Sequence, residues 1–151
     1  MTQRQKIQLK FLQENLDYLR EAEGHLEWSW QKCQKINLDD VLTNEALEAL
    51  EALAARFART VDIYTQKIVP GLLGILEERH PTFLDRANFL EKIGVVSSAG
   101  ELVEIRGIRN AIAHEYRKND YQELYKEMFK SIDPLRDIIR KTREYISAKI
   151  Q

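Results

Sequence analysis

Residues that make tight turns are scarce in this sequence. Six glycines and three prolines in 151 residues leave little material for the hairpins and long loops of a β-rich chain. The single cysteine, Cys33, rules out an intramolecular disulfide, and the absence of a leader-like start points to a cytoplasmic protein. With a net charge of −1, the chain lacks the overall attraction for nucleic acid that a basic protein has, so RNA binding calls for a local basic patch. The most apolar run, Ile68 to Leu76, is short and interrupted by Pro70, Gly71 and Gly74, which excludes a membrane span there. No Cys/His cluster has zinc spacing, and neither a Gly-rich phosphate loop nor a G-x-S-x-G elbow occurs.

What remains is helical material. At 151 residues, 44% of them hydrophobic and 31% charged, the chain fits one domain over residues 1–151 with a single core. Thr2 to Ile36 reads as a long first helix, with Leu12, Leu16, Leu19, Leu26, Trp30 and Cys33 on one seam and Glu23 its one polar member. His25, Trp28 and Trp30 read as packing or partly exposed residues. Asn37 to Thr43 is a polar break, and Thr43 or Asn44 caps a second helix with Leu47, Leu50, Ala54, Phe57, Val61, Tyr64 and Ile68 inward. Asp62 is the acid embedded among apolar neighbours on this helix, more in keeping with a paired or solvent-facing carboxylate than with a catalytic one.

Pro70 is expected to break or kink the second helix, leaving a bent or separate piece that ends near Glu78. His80-Pro81 is a connection, and Thr82 to Ile93 forms a short helix stopped by Gly94. A capping box at Ser98-Ala99-Gly100-Glu101 starts the next helix, with Leu102, Ile105, Ile108 and Ile112 buried. Asp120 to Glu123 is a second capping box opening the last helix, which Pro134 kinks or divides at Asp133. The expected fold is all-α, an up-and-down bundle of about five helices.

One octet stands apart: Arg109-Asn110-Ala111-Ile112-Ala113-His114-Glu115-Tyr116. With twelve arginines and three histidines, Arg-x4-His arises by chance roughly 0.2 times per chain; a tyrosine two places later lowers that to about 0.01. On a continuous helix Arg109 and Tyr116 lie about 20° apart, and Asn110 stacks on His114 on the adjoining face. Arginine grips phosphate as a fork and offsets charge developing on phosphorus. Histidine, titrating near neutrality, takes a proton from a ribose 2′-hydroxyl or gives one to a leaving oxygen. RNA cleavage by that route without a metal works best with both an acid and a base, and the octet supplies one histidine. A two-fold dimer would supply the second. The structural alternative is an Arg–carboxylate pair beside a half-buried histidine and a packed tyrosine.

The R-x4-H spacing within a small helical bundle resembles the HEPN superfamily. The fuller R-N-x3-H-x-Y form, at Arg109, Asn110, His114 and Tyr116, is similar to HepT toxins of type VII toxin–antitoxin pairs. That resemblance implies a homodimeric, metal-independent RNase with no cofactor and with its two motifs facing across the dimer. It also implies a partner, a minimal nucleotidyltransferase antitoxin that transfers AMP to the motif tyrosine. By position, Arg109 and His114 would be catalytic, Asn110 supporting and Tyr116 the AMP acceptor. A non-catalytic HEPN subunit that binds substrate or regulates a nucleotidyltransferase is the alternative.

Overall fold

The computed structural model describes residues 1–114 and 121–150. Six α-helices appear among them: α1 (Gln3–Cys33), α2 (Asn44–Ile63), α3 (Val69–Ile75), α4 (Phe83–Lys92), α5 (Ala99–Ala113) and α6 (Tyr121–Lys149). A π-helical turn, Tyr64–Ile68, joins α2 to α3. These three segments form one rod, so the described residues make five helical rods and no strand, as the three-four spacing predicts. One apolar cluster runs through all the rods. No helix among the described residues is long and apolar enough to cross a membrane.

Caps set most of the boundaries. Thr2 and Gln5 form a reciprocal capping box at the start of α1, while Thr43 and Thr82 cap α2 and α4. Helix α1 ends at Cys33, three residues before the expected Ile36. At Ser98 only the forward half of the expected box forms: its hydroxyl accepts from the Glu101 N–H at 3.1 Å. The next N–H along, that of Ala99, is satisfied from α4 by a Glu91 carboxylate oxygen at 2.6 Å. The capping box expected at Asp120 lies outside the described residues.

Both helical prolines behave differently from a simple break. At Pro70 the rod continues because the turn before it widens, with the Val69 N–H bonding to the Tyr64 carbonyl five residues back. A wider turn accommodates a ring that would otherwise press on the carbonyl four residues earlier. Helix α6 runs unbroken through Pro134 and is not divided at Asp133. Fully buried Ile132 and Leu135 hold the segment on either side, while Lys130, whose carbonyl loses its partner, is on the exposed side.

Two helix ends share a hydrogen-bond pattern but not a residue type. After α4, Gly94 (φ 84°) lets Gly94 and Val95 bond back to Glu91 and Leu90. After α3, Glu77 takes the same left-handed conformation (φ 58°), and Glu77 and Glu78 bond back to Gly74 and Leu73. The rod that began at Asn44 thus ends at Ile75, short of Glu78.

Candidate active site

Helix α5 carries the octet, and its direction follows from its buried face. Leu102, Ile105 and Ile108 are buried against the core, and Ile112 is half-buried at the end of the stripe. Arg109 comes next to Ile108, so it emerges at the seam where α5 packs on α2. There it meets Asp62. The Arg109 Nε donates to Asp62 Oδ1 at 2.5 Å and Nη2 donates to Oδ2 at 2.8 Å, a planar fork on a carboxylate. Both side chains are about 30% exposed, at 28% for Arg109 and 31% for Asp62.

The hydrogen bonds it donates to Asp62 hold the Arg109 guanidinium above its ordinary pKa, outweighing the opposing effect of burial. They also fix its plane. One edge of the fork is anchored, and Nη1 on the other edge has no hydrogen-bond partner among the described residues. The paired-carboxylate reading of Asp62 therefore holds, and its partner is the motif arginine.

His114 departs from the helical geometry the spacing suggests. Helix α5 ends at Ala113, and His114 is its C-cap in an extended conformation (φ −91°, ψ 146°). Its N–H still bonds to the Asn110 carbonyl at 3.2 Å, so its backbone stays tied to the last turn of α5. His114 is exposed and borders a shallow groove with Ala54, Ala55, Ile112 and Tyr125. Helix α2 thus lies beside both motif residues: Asp62 at Arg109, and its earlier turns at His114. Asn110 is exposed, linked to His114 through its backbone. Tyr116, the candidate AMP acceptor, lies outside the described residues.

Sequence reasoning did not link Asp62 to Arg109. The two are 47 positions apart, and only the packing of α2 on α5 joins them. The available signal was an acid set between the apolar Val61 and Ile63, and Arg59 three places earlier offered a partner within the helix as readily as Arg109 did. Among the described residues no group of three or more His, Cys, Asp or Glu side chains is arranged to hold a metal ion.

Residues 75–142 match the family model described as HepT-like, "Ribonuclease HepT-like". The matched stretch takes in α4, α5 and most of α6 with all four motif positions, and leaves Asp62 outside it. No curated protein and no solved structure matches the chain.

Proposed function

We propose, from the match of residues 75–142 to a HepT-like ribonuclease family model, that this chain is a HepT-like member of the HEPN superfamily and a metal-independent endoribonuclease toxin acting in the cytoplasm. The observation that carries the reading beyond the family is Arg109. Its guanidinium is oriented by Asp62 on one edge and unpaired among the described residues on the other, five residues ahead of an exposed histidine. An unpaired Nη1 edge suits a phosphodiester oxygen, and a fixed plane lowers the entropy lost in binding it.

In this reading His114 removes the proton from a ribose 2′-hydroxyl as that oxygen attacks the adjacent phosphorus. The bond to the 5′-oxygen breaks, and the departing oxygen takes a proton from a second acid. The second acid is His114 of another copy, which a two-fold dimer with facing motifs would bring to the same phosphate. Arg109 offsets the charge that builds on the non-bridging oxygens. Asp62 acts on Arg109 as a positioning group, and Asn110 supports His114 at the helix end.

The partner in this reading is a minimal nucleotidyltransferase that transfers AMP to Tyr116. The added phosphate and nucleoside, two residues after His114, would compete with RNA for charge and space. Expression in a bacterial host tests the toxin assignment: His114→Ala should remove toxicity while the purified variant keeps its circular dichroism spectrum. Undiminished toxicity of that variant would overturn the assignment. Incubation with a cognate nucleotidyltransferase and ATP should add one AMP to the wild type and none to Tyr116→Phe.

A further inference from the structure

Away from the motif, α1 and α2 leave an open groove along their length. Its α1 side carries a line of exposed apolar residues: Ile7, Phe11 and Tyr18 are each about 60% accessible. Phe11 and Tyr18 are seven apart and Ile7 precedes Phe11 by four, so they stand on one line along the helix. Isolated exposed apolar residues are ordinary, whereas a continuous line of large ones marks a contact surface. The groove has a volume of about 620 Å³, with Ile63 of α2 on its far side. Asn15 on its floor is 7% exposed, and its amide nitrogen has no hydrogen-bond partner.

The charges on the two lips indicate what covers it. The α1 lip carries Glu14 and Glu21, and the α2 lip carries Arg59 and Lys67. None of the four has an ion-pair partner among the described residues, whereas Arg109, Arg136 and Arg143 each meet an acid of another helix. Two contacts fix how α1 and α2 stand against each other. The His25 carbonyl accepts from Arg56 Nη1 at 3.2 Å, and towards the other end Leu12 packs on Gly71. Numbering therefore falls along one helix as it rises along the other, and Glu21 stands level with Arg59 and Glu14 level with Lys67. Each acid faces a base across the width of the groove, and neither reaches the other.

We propose that a second copy of this chain covers the groove, related by a two-fold axis running along the helices. Rotation about such an axis preserves height and sets the α1 of one copy over the α2 of the other. Glu14 and Glu21 of each copy then meet Lys67 and Arg59 of its partner at matched levels, and the apolar lines close over the groove. An axis across the helices instead sets α1 on α1 and places acids against acids. The line from Ile7 through Tyr18 to His25 is about 27 Å long and two helices are roughly 20 Å wide, on the order of 500 Å² per copy. That is below the roughly 800 Å² per partner of a standard interface and fits a weaker, reversible contact in which the paired charges set the register. The contact is separate from the facing-motif dimer, since Arg109 emerges on the α5 side of α2. Both interfaces together give an assembly of more than two chains.

Charge reversal of the purified full chain tests this by mass, measured by light scattering during size-exclusion chromatography. One variant carries Glu14→Lys and Glu21→Lys, the other Arg59→Glu and Lys67→Glu; all four positions lie outside the candidate active site. Each variant alone should have half the wild-type mass, with association at least tenfold weaker. An equimolar mixture should recover the wild-type mass, because every lip then meets its opposite. A chain with all four reversals should also recover it, which excludes misfolding as the cause. A monomeric wild type, or a mass that neither variant changes, would overturn the proposal; so would loss without recovery in the mixture. The readout does not involve RNA cleavage, so a failure of the ribonuclease reading leaves it intact and the reverse also holds.

Discussion

Helix α2 has charged groups on two flanks, and they differ in how they are satisfied. Toward α5, Asp62 meets Arg109 within the chain, in a fork at 2.5 and 2.8 Å. Toward α1, Arg59 stands level with Glu21 across an open groove and has no ion-pair partner among the described residues. A charge paired inside the chain fixes the direction of a side chain, which is what a group aimed at a phosphate needs. Charges left unpaired at matched heights beside exposed aromatics describe a surface awaiting its complement. The same helix thus positions a candidate catalytic group on one flank and offers a contact surface on the other.

Breaking the first flank should have the largest consequences. Arg109→Ala removes the phosphate-directed charge and should lower RNA cleavage by about a hundredfold or more, with the fold retained by circular dichroism. Arg109→Lys keeps the charge but not the fork, and should recover little of the loss. Asp62→Asn should lower cleavage by about tenfold, mainly in kcat, because the guanidinium loses one of its two anchors. In an Arg109→Ala background the same change should cost almost nothing further; an undiminished loss there would show that Asp62 does not act through Arg109.

Smaller effects separate the core from both flanks. Thr142 donates to the Ile138 carbonyl, so the buried Tyr64 hydroxyl donates to Thr142 at 2.8 Å. Tyr64→Phe should cost about 1 kcal/mol in chemical denaturation and leave cleavage unchanged. Glu77→Gly relieves a left-handed residue and should stabilise by roughly 0.5–1 kcal/mol, read the same way.

The smallest effect concerns Glu27. Hydrogen bonds from Arg136, then from Gln31, hold its carboxyl below the usual range. The unfolded chain therefore takes up this proton at higher pH than the folded one. The stabilisation is full above the ordinary glutamate range and fades as pH falls through the lowered folded value. Glu27→Gln should flatten the acid limb of a stability–pH curve slightly and leave neutral stability nearly unchanged, because the pair is half-exposed.

Much of the helical layout was legible in the three-four spacing of residues such as Leu50, Ala54, Phe57 and Val61, all buried as expected. Caps at Thr43, Thr82 and Ser98 were equally readable, because each depends on a few consecutive residues. The proline effects were not. Pro70 is absorbed by a π turn, and Pro134 is carried through by the core around it, both products of tertiary packing. At the candidate site Arg109, Asn110 and His114 could be singled out, but Asp62 could not be joined to Arg109 without knowing which helices are neighbours. The end of α5 at Ala113 was also hidden, since nothing in Ala-His-Glu-Tyr is a strong helix stop. The groove escaped notice because Phe11 and Tyr18 lie off the leucine seam, though their seven-residue spacing was there to be read.

The most direct test is cleavage of RNA by the purified chain in excess chelator, wild type against His114→Ala. Cleavage that persists in chelator and disappears in the variant is the expected result, with Tyr116 shown unmodified by mass spectrometry in both. Cleavage that survives in His114→Ala, or that stops on chelation and returns with added metal, would contradict a metal-independent site built on Arg109 and His114.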